Sequence, residues 1–162
     1  MIRAVLILVL AFAAAGCSSK FQRYDGPEVT RIHVFKEDRR MYLMHGPQVL
    51  KAYDIGLGFA PVGTKQFSGD GKTPEGDYFI DRRNPNSAYH LSVGISYPTP
   101  EQVAFAQTIG KSPGGDIFIH GGPGKLRNVP QDWTAGCIAV TDKEVEEIYA
   151  MVQDGTPISI HP

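Results

Sequence analysis

The segment Ile117-Phe118-Ile119-His120-Gly121-Gly122, answered after a loop by Asp132-Trp133-Thr134-Ala135-Gly136-Cys137-Ile138-Ala139-Val140-Thr141, decides how this sequence is read. The apolar runs 117–120 and 138–140 are too short for helical periodicity and are bounded by glycine or a helix-capping residue, so both read as strands. Each carries chemistry at one end. His120 closes the first, and Cys137 stands immediately before the second, 17 positions later. A thiol is a weak nucleophile until it loses its proton, an imidazole beside it supplies the base, and a flanking glycine lets backbone N–H groups approach a developing oxyanion. Cys137 is therefore the candidate nucleophile, His120 the candidate general base and acid, and Gly136 the candidate oxyanion-hole backbone. The competing reading of a lone cysteine is a small buried hydrophobe.

Outward from this centre the chain alternates short strands with turns. Residues 31–35 and 40–44 alternate polar and apolar side chains about the charged link 36–39, which predicts a hairpin. Residues 49–56 extend it as a third strand until Gly58, Pro61 and Gly63 break the pattern. Residues 69–76 are turn chemistry throughout, in which Asp70, Thr73 and Glu75 read as holding loop geometry. A strand over 77–81 follows, then a loop over 84–87. Residues 89–96 alternate again and read as a strand carrying His90. Thr99 and Glu101 start a helix over 100–110. The clearest helix spans 141–153: Thr141 and Glu144 form a capping box, and Val145, Ile148, Tyr149 and Val152 make one apolar face. Gly155 stops it, and residues 158–161 return as a last strand.

The 162 residues carry 16 Lys and Arg against 17 Asp and Glu, a net charge of −1, which suits one domain and excludes a basic nucleic-acid-binding surface. No cluster has metal-ligand spacing and no glycine-rich phosphate loop is present, so neither metal nor cofactor is expected. His33, His45 and His161 belong to no motif and read as surface.

The N-terminus is a separate unit. Arg3, the apolar run 4–15 and the small residues before Cys17 form a secretory signal. The run is shorter than the ~20 residues a bilayer span needs, so an uncleaved anchor is the weaker reading. Ala14-Ala15-Gly16-Cys17 resembles a bacterial lipobox, in which Cys17 is lipidated and anchors the mature chain to a membrane. Simple secretion with cleavage near the alanine run is the alternative. Residues 1–17 are thus a signal with lipobox, 18–29 a tether and 30–162 the catalytic domain, in a periplasmic or cell-envelope location. With Cys17 lipidated, Cys137 has no disulfide partner.

His120-Gly121 followed by Thr134-Ala135-Gly136-Cys137-Ile138 resembles the signature of the YkuD-domain L,D-transpeptidases, and Thr73-Pro74-Glu75-Gly76 matches the strand entry of that family. The resemblance covers residues 30–162. It implies a mainly β fold of mixed sheets, sandwich- or barrel-like, with a C-terminal helix and with Cys and His at the mouth of a cleft. It also implies peptidoglycan peptide stems as partners. Two positions depart from the pattern: Ala135 stands where His or Arg is common, and Ala139 where Arg is common, so the acyl donor is expected to be gripped differently. Asp132-Trp133-Thr134 and Tyr89-His90-Leu91 resemble the YafK-type branch, which implies cutting of the amide between meso-diaminopimelate and the terminal Lys of a Braun-type lipoprotein. Gly121, Trp133, Thr134, His90 and Asp132 are the candidate substrate contacts. Trp133 reads alternatively as a core anchor and His90 as a satisfied, partly buried histidine.

Three activities fit these residues: hydrolysis of a Cys137 thioester by water, transpeptidation by an amine, and silent peptidoglycan binding. The intact Cys137 and His120 disfavour the last. For the N-terminus, Cys17→Ser is expected to move the protein out of the membrane fraction; unchanged membrane association on fractionation would refute the lipid anchor.

Overall fold

The computed structural model describes residues 19–123 and 128–162. The signal and the lipidated Cys17 lie outside the described residues. The elements in chain order are β1 (Arg31–Phe35), β2 (Arg40–His45), β3 (Gln48–Asp54), β4 (Gly76–Asn84), β5 (Ser92–Ile95), α1 (Pro100–Thr108), β6 (Phe118–His120), β7 (Ile138–Ala139), α2 (Asp142–Met151) and β8 (Pro157–His161). The strands make one mixed sheet in the order β3-β2-β1-β8-β4-β5-β6-β7.

The hairpin over β1 and β2 forms as the alternation predicts, with Ile32, Val34, Met41 and Leu43 on the buried face. β4 departs from expectation: it runs on through Asn84, where a loop was expected. Its first half pairs with β8 and its second half with β5, and the register shifts between Ile80 and Arg82. A strand that changes partners at such an irregularity bends. The sheet therefore curls until its two edges meet, where Gly56 and Ala139 exchange N–H···O bonds of 2.8 Å in both directions. The barrel-like expectation holds in this form.

β5 is shorter than expected. His90 is not on a strand but in a turn before it, with φ +71°. The reason is that Leu91 N–H turns back onto the Tyr89 carbonyl at 2.9 Å, which takes residues 89–91 out of the ladder. Both helices begin as expected, each with a complete capping box, at Thr99 with Gln102 and at Thr141 with Glu144. α2 buries Val145, Ile148 and Met151 against the sheet, whereas α1 buries only Ala106 and lies at the periphery. His33 and His161 also differ from expectation: neither is fully exposed, because their rings stack and their Nδ1 and Nε2 atoms lie 3.1 Å apart on adjacent strands.

Lys36, at the hairpin tip, is buried. Its Nζ donates to Glu75 Oε1 at 2.6 Å and to the carbonyls of Gly63 and Thr73 at 2.7 and 3.1 Å. These bonds fix the 63–75 loop to the hairpin. Losing one partner of a buried pair strands the other, at a cost of ~3–5 kcal/mol. Lys36→Met is expected to lower the unfolding free energy, read as the urea midpoint multiplied by the m-value, by an amount in that range, and a midpoint unchanged from wild type would show the pair to be dispensable.

Candidate active site

The site is built from the backbone of β6 and β7. In their parallel pairing Ile119 lies opposite Ile138 and His120 opposite Ala139. Side chains alternate across a sheet, so the buried Ile119 and Ile138 face the core and His120 projects from the other side. Continuing β7 back by one residue puts Cys137 on that same side. Cys137 and His120 accordingly line one cleft of about 230 Å³, together with Tyr89, Ser92, Asp116 and Phe118.

The approach to Cys137 is set by close backbone packing. Gly136 has φ +138°, and a Cβ there would meet the Lys72 carbonyl oxygen at 2.6 Å. Only glycine fits both conditions. Its N–H, however, donates to Thr134 Oγ1 at 3.1 Å, and that hydroxyl donates to the Cys137 carbonyl at 2.7 Å. In this fold the Gly136 amide closes the turn, and the space around its Cα admits no side chain. Thr134 is buried inside the same turn, its N–H on Leu57 O and its carbonyl on Phe59 N–H, so it shapes the loop rather than facing a ligand. Asp132 does likewise. Its carboxylate accepts from Arg39 Nε and Nη2 and from Leu57 N–H at 3.0 Å, which leaves it holding the loop against the hairpin.

His120 is held on three sides. Its Nδ1 lies 2.7 Å from the Gly121 carbonyl, which can only accept, so Nδ1 carries the proton and Nε2 carries the lone pair. Tyr89 stacks on the ring at 4.4 Å between centroids, and Trp133 meets it edge-on at 5.6 Å. Gly121 itself is sandwiched: a Cβ would lie 2.7 Å from Tyr89 O and 2.5 Å from Asp142 Oδ1. Its carbonyl orients the imidazole. Trp133 also walls a second, open groove of about 400 Å³ with Gln131, Ala139 and Thr141. His90 turns away, its Nε2 2.7 Å from Glu146 Oε1 on α2, so the reading of a satisfied, partly buried histidine is the one its surroundings match.

Burial acts on both reacting groups. It holds the His120 imidazole below its usual value, against the Gly121 hydrogen bond. It pushes the Cys137 thiol up, aided by the negative charge of Asp116 and opposed by the Phe118 N–H and, more weakly, by the positive charges of Lys65 and Arg82. The thiol lies 3.5 Å from the Asp116 carbonyl, an acceptor suited to S–H and not to a thiolate. The resting pair is therefore neutral. Arg82 lies over the Phe118 ring at 4.5 Å, in space left by Gly94, where a Cβ would be 2.6 Å from its Cγ. Lys65 is buried on Asp70 at 2.9 Å. Tyr89, Asp116, Arg82 and Lys65 are neighbours of the pair that no local sequence signal marks as such. Only Tyr89 left a trace, as part of a motif credited to His90. Among the described residues no group of three or more metal-ligating side chains converges.

Residues 29–160 match the model of the YkuD family, described as the L,D-transpeptidase catalytic domain. The chain belongs to that family. It is 30% identical over 145 residues to the curated Escherichia coli K12 protein named, provisionally, L,D-transpeptidase YafK, covering 81% of this chain and 53% of that protein. It thus spans about half the length of the curated relatives it matches. Among solved structures it is similar to the helical cell shape determining protein Pgp2 of Campylobacter jejuni, with a TM-score of 0.64 and 27% identity over 90% of this chain and 51% of that one. Bd1075 of Bdellovibrio bacteriovorus shares the fold at a TM-score of 0.57 and 24% identity, covering 86% of this chain and 50% of its own.

A neutral resting pair has a measurable signature. The rate of Cys137 alkylation by iodoacetamide should still be rising with pH at the ordinary thiol midpoint of about 8.5. A plateau reached below neutral pH would instead reveal a preformed thiolate.

Proposed function

We propose that this chain is a cysteine-dependent peptidoglycan-modifying hydrolase that opens the amide joining a meso-diaminopimelate stem to a lipoprotein lysine or a related amine. The carrying observation is the shared cleft, in which Cys137 and His120 line one wall and the Gly121 carbonyl fixes the imidazole with Nε2 free of the proton. Membership of the L,D-transpeptidase family supports peptide stems as the acyl source.

In this scheme Nε2 takes the thiol proton as Sγ attacks the stem carbonyl. The tetrahedral species collapses with cleavage of the C–N bond, and the imidazolium returns its proton to the departing amine. A thioester on Cys137 remains. Water then gives its proton to Nε2, its oxygen adds to the acyl carbon, the C–S bond breaks, and the thiolate regains the proton. Lys65 and Arg82 favour the transient thiolate through space.

What favours water over an amine is the groove beside Trp133. None of the described residues lining it is Lys or Arg, and two, Asp54 and Glu144, are acidic. Among the described residues it offers no cation to hold an acceptor carboxylate. A shaped acceptor site raises the local amine concentration by orders of magnitude; without one, a millimolar amine competes poorly with water at ~55 M. Anchoring through Cys17 would keep this chemistry at the cell envelope.

Cys137→Ala should abolish product release from purified sacculi while leaving the fold intact. His120→Ala should lower the rate by ~10²–10⁴-fold. A loss smaller than tenfold would point to another base. With excess free amine added to wild type, mass analysis should show mainly free acid ends. Predominant amide adducts would make the protein a transpeptidase.

A further inference from the structure

The segment before β1 was expected to be a tether, but its described part is docked. Lys20 Nζ donates to the carbonyls of Pro85 and His90 at 2.6 and 3.1 Å, which bracket the turn bearing Tyr89. Phe21 packs on Tyr149 of α2 at 6.1 Å between ring centroids. Gln22 Nε2 donates to Glu146 Oε2 at 3.1 Å, and the other oxygen of that carboxylate holds His90. One cluster thus joins the N-terminal segment, α2 and the 85–91 turn. A charge-assisted bond to two carbonyls is among the stronger polar contacts at a protein surface.

The turn needs such a brace. His90 sits at φ +71°, a conformation uncommon outside glycine. The residue before it, Tyr89, presents its ring to His120 at 4.4 Å, and its carbonyl accepts from Gly121 N–H at 3.0 Å. A shift of this turn would therefore move the stacking partner of His120 and the N–H side of the residue whose carbonyl orients it.

We propose that residues 20–22 form a positioning strap for the imidazole, in which Lys20 fixes the 85–91 turn so that Tyr89 covers His120. The assignment rests on the reading of His120 as general base. It makes Lys20 and Tyr89 positioning residues, neither of which exchanges a proton with substrate. It also couples the membrane-proximal end of the chain to the reacting pair: Cys17 stands three residues before Lys20, a reach of about 10 Å.

The strap has a readout that a purely structural contact would not move. Tyr89 shields His120 from water, and burial is what lowers its pKa. The charged or titratable groups facing the ring's surroundings are Asp142 from α2, Asp116 and Arg82 across the cleft, and the Cys137 thiol. None of these changes when Lys20 is replaced. In the full chain held in detergent, Lys20→Met should raise the His120 midpoint, followed by NMR of the imidazole, toward the ordinary value of about 6.5. The acidic limb of kcat/KM should move up with it, and kcat should fall about tenfold. Lys20→Arg should restore both. Tyr89→Ala should reproduce the shift, and adding Lys20→Met to it should change nothing further. An unshifted His120 titration in Lys20→Met, or full additivity with Tyr89→Ala, would overturn the strap. If Cys137→Ala and His120→Ala keep activity, it is the nucleophile and base assignment that fails, and the NMR titration still decides the strap.

Discussion

The reciprocal hydrogen bonds between Gly56 and Ala139 are the constraint on which the site depends. They join the two ends of a curled sheet, so the chain leading into Cys137 must pass within backbone contact of residues 56–58. At Gly56 and Gly58 that passage leaves no room for a side chain. A Cβ on Gly56 would lie 2.2 Å from Gln131 O, and one on Gly58 would lie 2.1 Å from Gly71 O and 3.1 Å from Gly136 Cα. Three loops meet as bare backbone, and side chains from outside lock them: Arg39 on Asp132, Thr73 Oγ1 on Gly58 N–H, Lys36 on the 63–75 loop. The Cys137 thiol is thus held by elements distant in sequence, which is how a thiol on a loop acquires the precision of a strand.

That rigidity has an electrostatic consequence. The packing that fixes Cys137 and His120 also strips them of water, and desolvation disfavours both the thiolate and the imidazolium. The free site therefore stores a neutral pair. In the proposed reaction, charge separation would be favoured only as the sulfur engages a carbonyl and negative charge passes onward to the substrate oxygen. Lys65 and Arg82 contribute in the same direction without contacting the sulfur, because in a poorly solvated cleft a charge acts over longer distances than in water.

How much of this was legible in the sequence follows the range of the interaction concerned. The β1–β2 hairpin, the Thr99 N-cap, the Thr141–Glu144 capping box and the last strand depend on neighbours a few residues apart, and all appear where the pattern places them. Cys137 and His120 were legible because their glycines and flanking strands mark them locally. Tertiary partners decided the rest. Alternation over 89–96 could not reveal that the Tyr89 carbonyl folds the chain back, nor that His90 pairs with a glutamate 56 residues away. The hydroxyl of Thr134 and the carboxylate of Asp132 look equally available in sequence to a ligand or to the loop, and in the fold the loop takes both. β4 was cut short because Arg82, Arg83 and Asn84 read as polar surface, yet they continue a ladder with β5.

The departures at Ala135 and Ala139 acquire a physical meaning in this setting. Ala139 is buried and supplies both halves of the closing bridge, with its Cβ 3.7 Å from the position a side chain on Gly56 would occupy. A long cation at that position would have to leave the strand toward the open groove beside Trp133. With alanine there, the described wall of the groove carries no positive charge, while positive charge reaches the thiol from Lys65 and Arg82 on the other side of the cleft. The cationic assistance lost from the nucleophile strand is thus supplied from β4 and the 65–70 loop. Under the proposed hydrolysis that charge lies on the side where the acyl group would attach to sulfur, away from the groove beside Trp133 that a second substrate would enter.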